Sequence, residues 1–240
     1  MIINLNCTAN LGDFMNAFPV LSGLAKREKI KLVIRNEMRK FNGIKEFLMY
    51  QDIFDDVSFE DEVFVSGNII VLSSWTRMDR NDPNRPIETC RYENWLRDEY
   101  GLNFEVDDDV EIKIKHMDIP EYHDVLIGDR WSKQQDPNVD SRRYTNVIEN
   151  GANLDRNKVV YMDYTQSLMY NCNLIKQNPH PFITTFTGIG IIADLMNKET
   201  IVGWDEDMRT WDGHPVEFDF ARHYYGNRKS KLVHVKDITI

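Results

Sequence analysis

Apolar, β-prone runs of four or five residues alternate along this chain with longer segments whose apolar positions fall three and four apart, the pattern of strands separated by helices. Ile2 to Asn6 predicts a first strand. Phe14, Phe18, Leu21, Leu24 and Ala25 then share one helical face, and Pro19 inside that segment predicts a kink or a helix start near it. Lys31 to Ile34 and Ile69 to Ser73 predict strands, with Phe54 to Phe59 a weaker one. Phe41 to Met49 and Glu88 to Tyr100 predict helices, the second ended by Gly101. Further strands are predicted at Asp124 to Gly128, Val159 to Met162 and Leu232 to Val235. Further helices are predicted at Ser141 to Asn150, with Gly151 as the stop, at Gln166 to Lys176 and at Val216 to Tyr225. The clearest single unit is Phe182 to Trp204. Phe182 to Thr185 predicts a strand, Thr187 to Gly190 a tight turn, Ile191 to Asn197 a helix and Thr200 to Gly203 another strand, together one βαβ unit.

The acidic run Glu105 to Glu111, followed by Pro120, breaks this pattern and predicts a solvated connection between about residues 103 and 120. Its spacing of oxygen ligands is unlike a calcium loop. The connection divides the chain into two α/β halves, residues 1–110 and 111–240, and a cleft between them is the default ligand site.

Composition narrows the partners. The 39 acidic and 29 basic residues leave a formal net charge of -10, a field that opposes any polyanion and excludes a general DNA-coating role. A phosphate-bearing partner would have to meet a local basic patch. The candidates are the loop Arg77 to Arg85, Arg142 with Arg143, and a tail holding Arg222, Arg228, Lys229, Lys231 and Lys236; a cluster taken alone reads better as a solvated face or a neighbour for the many acids. Cys7, Cys90 and Cys172 are far apart and in no metal-ligand spacing, which suits a reducing compartment. The histidines are too scattered to predict a metal site. No apolar run reaches membrane-spanning length and the N-terminus lacks a signal-peptide pattern, so a cytoplasmic protein is expected.

Three places carry candidate chemistry. Gly188 and Gly190 sit where a strand turns into a helix, so the N–H groups of Gly188, Ile189 and Gly190, with the Thr187 hydroxyl, would face an anion, a phosphate first. The same glycines suit plain close packing of helix on strand, and the residues leave both readings open. In Asn10-Leu-Gly-Asp13, Gly12 is a turn glycine and Asp13 either an acid satisfying a helix N-terminus or a reactive carboxylate. Arg130, Ser132 and Lys133, after the strand ending at Gly128, offer two cations and a hydroxyl for phosphates, or ordinary ion pairs and a turn.

Taken together, Leu11-Gly-Asp-Phe-Met-Asn-Ala-Phe-Pro-Val-Leu-Ser-Gly-Leu24, the Gly128 to Lys133 loop and the Asn171 to Trp204 segment with its Thr187-Gly188 turn and Ala193 resemble the heptosyltransferase-like glycosyltransferases. These are GT-B enzymes that add ADP-heptose sugars to lipopolysaccharide. Two positions depart from that pattern: Phe186 stands where the family has an acidic residue, and Ile191 where it has a histidine. The chain is also shorter than typical members and has the look of a minimal, bacteriophage version.

The resemblance implies a GT-B-like α/β fold of two Rossmann-like domains facing a cleft, the first on the acceptor side and the second binding a nucleotide-sugar. It implies an inverting, metal-independent glycosyltransferase without a cofactor, the nucleotide-sugar being co-substrate. Asp13 is then the general base. Gly12, Arg130, Ser132, Lys133, Thr187, Gly188, Ile189 and Gly190 hold the donor. Hydroxymethylated bases of bacteriophage DNA are ranked ahead of lipopolysaccharide or another glycan as acceptor. The alternative from another class is a nucleotide-sugar-binding protein of the same fold without catalysis.

Overall fold

The computed structural model describes residues 1–5, 11–60, 69–71, 85–120, 124–128, 147–208, 215 and 230–240, and within them the strands form two all-parallel sheets. The first has the order β3-β2-β1-β4, from β1 (Ile2–Leu5), β2 (Lys31–Ile34), β3 (Asp56–Phe59) and β4 (Ile69–Val71). In register, Ile3 lies beside Leu32 and Ile70, and Leu32 beside Val57. These residues form one buried row across the sheet, as expected for parallel strands covered by helices. The second sheet has the order β6-β5-β7-β8-β9. Its strands are β5 (Val125–Ile127), β6 (Val159–Tyr161), β7 (Phe182–Thr184), β8 (Thr200–Trp204) and β9 (Lys231–His234). The α/β class and the βαβ unit at residues 182–204 are therefore as the sequence predicts.

In each sheet the chain first steps outward on one side and then returns to the other. The reversal falls between β1 and β4 in the first sheet and between β5 and β7 in the second. Ligands of open α/β sheets bind at the carboxyl ends of strands at such reversals.

Six helices lie in the described residues: α1 (Leu11–Ala25), α2 (Ile44–Met49), α3 (Ile87–Tyr100), α4 (Val147–Gly151), α5 (Leu168–Gln177) and α6 (Gly188–Leu195). None is long and apolar enough to cross a membrane. Helix α1 runs through Pro19, although proline removes one ladder hydrogen bond. Burial outweighs that loss, since Phe14, Met15, Phe18, Val20 and Leu21 are all at most 1% exposed. Helix α3 ends as predicted. Gly101 takes φ 62°, its N–H donates to the Arg97 carbonyl, and the Leu102 N–H reaches back to Leu96, closing the helix in a Schellman motif.

Three expectations are corrected. Gly151 is the last residue of α4 rather than its stop; a Cβ there would lie 2.4 Å from Val235 Cγ2, so close packing against the 3₁₀ turn Val235–Asp237 is what requires glycine. Helix α6 starts at Gly188, three residues before its apolar periodicity begins, so the two glycines form its first turn and not a separate turn before it. Helix α2 starts at Ile44, because Phe41 caps the 3₁₀ turn Asn36–Lys40 and the left-handed Gly43 breaks the start of the predicted segment. The predicted helix Val216 to Tyr225 lies outside the described residues.

The predicted solvated connection is a strap bonded to both halves. The Asp107 N–H donates to the Pro19 carbonyl (3.0 Å), and the Asp107 carboxylate accepts from Ser22 Oγ (2.6 Å) and pairs with Lys26 (2.9 Å). The Ile112 N–H then donates to the Leu195 carbonyl of α6 (3.0 Å). Gln51 takes both backbone groups of Lys113, and Asn173 of α5 takes the Lys115 carbonyl and the Met117 N–H. Phe104 and Ile112 are 1% and 5% exposed. Glu105, Asp108, Asp109 and Glu111 stay exposed while Val106, Val110 and Ile114 pack on the core. Gly23 permits this course, for a Cβ there would lie 1.9 Å from the Glu105 carbonyl oxygen.

One apolar core joins the two sheets, containing Phe14, Leu21 and Leu32 from the first half and Leu126, Cys172, Phe182, Ile191 and Val202 from the second. Ile127, Ile148, Ile183, Val235 and Ile238 form a separate cluster on the second sheet.

Candidate active site at two helix starts

Two of the three motifs singled out in the sequence begin at a chain reversal. Helix α1, which carries Gly12 and Asp13 in its first turn, follows β1; helix α6, which carries Thr187 to Gly190, follows β7. The two helices pack on each other, and their starts touch. A Cβ at Gly188 would lie 2.6 Å from the Gly12 backbone nitrogen and 2.7 Å from the Leu11 carbonyl carbon, both rigid main-chain atoms. The structure thus brings Gly12, Asp13, Thr187, Gly188, Ile189 and Gly190 into one place. Arg130, Ser132 and Lys133 lie outside the described residues.

The start of α6 is held by a directed chain of hydrogen bonds. Thr187 is the N-cap, its hydroxyl oxygen accepting from the Gly190 N–H (3.3 Å). The Thr187 and Thr184 hydroxyls are 2.8 Å apart, and Thr184 Oγ1 donates to the Gly128 carbonyl (3.2 Å). With Thr184 donating onward, the proton between the two hydroxyls belongs to Thr187, so the chain runs from α6 across the reversal to the end of β5. Its consequence is that the Gly190 N–H is used inside the protein. The Gly188 and Ile189 N–H groups are the first-turn donors for which α6 has no internal acceptor. A partial positive charge from the helix dipole adds to them.

Gly128 is forced by its surroundings. A Cβ there would lie 2.4 Å from Phe182 Cζ and 2.9 Å from the Tyr164 hydroxyl oxygen. Thr184 was hidden in the sequence as one more β-prone residue of a buried strand; its spacing of three from Thr187 is the signal that pairs them. The two departures from the glycosyltransferase pattern are both apolar packing positions. Ile191 is fully buried, and Phe186 packs against Met208.

A second polar cluster lies at the carboxyl ends of β8 and β9. Asp205, Glu206 and His234 each place a possible ligand atom within 4.8 Å of the others. His234 Nδ1 accepts from the Lys236 N–H (3.2 Å), which puts the ring proton on Nε2, and Nε2 lies 2.5 Å from the Glu206 carboxylate. The nitrogen facing Glu206 is therefore a donor here, and Lys236 pairs with the same carboxylate. A hydrogen bond from a backbone N–H, then the His234 bond, hold the Glu206 carboxyl down at about 2. Cys90 and Cys172 are buried and in no disulfide, and burial pushes the Cys172 thiol well up, leaving it inert at neutral pH.

The described members of the candidate basic tracks all sit against carboxylates. Arg85 pairs with Glu93 and Asp108, Lys231 with Glu199, and Lys236 with Glu206.

No family model matches the sequence, and no curated protein matches it. Its structural neighbours are glycosyltransferases at low sequence identity. The glycosyl transferase family 9 protein from Veillonella parvula DSM 2008 superposes with a TM-score of 0.58 at 13% identity, over 97% of this chain and 85% of that one. The bacterial iron-containing dodecameric glycosyltransferase TibC from enterotoxigenic E. coli H10407 superposes with a TM-score of 0.52 at 10% identity, over 88% of this chain and 60% of that one. At such identities the likeness is one of fold, and the fold this chain shares is that of a family 9 glycosyltransferase.

Proposed function

We propose that the protein is a glycosyltransferase that moves a sugar from a nucleotide-sugar to an acceptor hydroxyl with inversion, without a bound metal or cofactor. The observation that supports this reading is the contact of the two helix starts at Gly188 and Gly12. It brings the first turn of α1, which carries Asp13, against a turn of backbone N–H donors suited to a diphosphate.

In the reaction, Asp13 takes the proton of the acceptor hydroxyl as its oxygen attacks the anomeric carbon. The bond from that carbon to the diphosphate oxygen breaks on the opposite face, and its electron pair leaves with the nucleoside diphosphate. The charge that grows there is met by the Gly188 and Ile189 N–H groups and the α6 dipole, joined in this proposal by Arg130, Ser132 and Lys133. Gly12 lets the backbone come close to the sugar. For the acceptor, the carboxylates around Arg85, Lys231 and Lys236 oppose a DNA phosphate track, which favours a glycan or small-molecule hydroxyl over a modified DNA base.

The test is a thermal-shift panel of nucleoside diphosphates and nucleotide-sugars on wild type and Asp13→Asn, followed by donor turnover. One nucleotide should raise Tm in both proteins, because binding to the folded state stabilises it by mass action, while turnover falls at least about 100-fold in the variant. Binding without turnover in the wild type, across all acceptors tried, would favour a non-catalytic nucleotide-sugar-binding protein.

A further inference from the structure

Asn16 lies one turn beyond Asp13 in α1 and is fully buried, yet neither its amide nitrogen nor its amide oxygen has a hydrogen-bond partner. Such a group loses its water without compensation and is rare in native interiors, so it requires an account. Packing does not supply one, because Leu or Met would fill the same volume without the loss. Only the Asn16 main chain is tied down, its carbonyl accepting from the Thr89 hydroxyl of α3 (2.7 Å).

Two geometric facts say where the amide acts. Residues three apart share a helix face, and helical side chains lean toward the N-terminus over the preceding turn. The Asn16 amide therefore lies over the turn that holds Gly12 and Asp13, on whose main chain Gly188 rests. Among the described residues, the elements packed on α1 add few charges to this place. Helix α6 carries no titratable side chain before Asp194, whose carboxylate accepts from the Ser230 N–H and hydroxyl. Helix α3 brings Glu88, paired with Arg91. The strap's Asp107 is paired with Lys26 at the far end of α1.

We propose that Asn16 is a positioning residue for Asp13, its amide holding a buried water whose O–H donates to the Asp13 carboxylate. A buried polar site of this kind is where structural water sits. A donor to the charged form of a carboxylate keeps it ionised, and orients the oxygen that faces the substrate. The catalytic meaning rests on Asp13 being the base; the coupling between the two residues does not.

The experiment is an NMR pH titration of protein labelled at aspartate Cγ, with the Asp13 resonance identified by its loss in Asp13→Asn. Replacing Asn16 by Leu should raise the Asp13 midpoint by about 0.5–1 pH unit, the equivalent of one hydrogen bond, and move the acid limb of donor turnover upward with it. Asn16→Ser, which keeps a hydroxyl and room for water, should stay near the wild-type midpoint. If the Leu variant does not fold, Asn16→Ala carries the same test. An unchanged or lowered midpoint overturns the proposal. Wild-type turnover in Asp13→Asn would instead remove the base reading and leave the titration to decide the coupling.

Discussion

Replacing Gly188 by Ala adds one carbon at the contact between the helix starts. That carbon would stand 2.6 Å from the Gly12 nitrogen, where ordinary contact begins near 3.4 Å, so α1 and α6 must part by about 0.8 Å. The obstructing atoms are main chain and cannot swing aside. Overpacking of this kind costs about 1–3 kcal/mol. The gain in helix propensity from Gly to Ala offsets less than about 1 kcal/mol, because Gly188 is the first residue of α6. The net expectation is a loss of about 1–2 kcal/mol in urea unfolding with an unchanged m-value. The nucleotide that shifts the wild-type Tm should bind at least about tenfold more weakly, since the displaced turn carries the donors. Gly101→Ala is the control: nothing lies within 4 Å of its Cβ, and its φ of 62° costs about 1–2 kcal/mol by strain alone, with nucleotide binding intact. Wild-type stability and nucleotide affinity in Gly188→Ala would refute the claim that the helix starts meet there.

Gly23→Ala should destabilise by about 3 kcal/mol in the same assay, since the added carbon meets the Glu105 carbonyl oxygen and pushes the strap off α1. Thr187→Val keeps the shape but removes the cap of α6 and the link to Thr184; a loss of about 1 kcal/mol is expected, with weaker nucleotide binding by thermal shift. Asp107 gives a pH signature. Burial opposes its charge, but the Ser22 and Lys26 bonds outweigh burial and hold its carboxyl below the ordinary 3.8. Its contribution is therefore present above pH 3.8 and lost as the pH falls through its lower folded value. Asp107→Asn should be less stable than wild type by about 1–2 kcal/mol at pH 7, and the difference should close in acid.

The sequence made the strands and the site motifs legible because their signals are local. Val33 and Ile34 beside Leu32 spell a buried parallel strand, and two glycines between a strand and a helical run mark where that helix begins, though not that Thr187 caps it. Where the reading failed, the deciding contact was distant. The strap read as solvent-exposed because Asp107, Asp108 and Asp109 dominate its composition. The alternation Val110, Ile112, Ile114 against Glu111 and Lys113 was present, and marks an extended segment with one buried side. Gly151 read as a helix stop because nothing nearby in sequence reveals Val235 above it. The contact of Gly188 with Gly12 joins residues 176 positions apart, beyond any local pattern. Asn16 was invisible for a related reason: an Asn inside an apolar helix announces itself only when its missing partner is known.

The strap also has a meaning for the order in which the chain is made. Its partners Asn173 and Leu195 emerge from the ribosome long after Val106 and Ile112, as does the whole of α6, which covers one side of α1. Until then the nascent first half carries an apolar helix with an uncovered flank and a strap that lacks its bonds to Asn173 and Leu195. A fragment ending at residue 120 is accordingly expected to bind a hydrophobic dye and to lack a cooperative unfolding transition. A fragment that unfolds cooperatively without dye binding would mean that the first half completes its own core during synthesis.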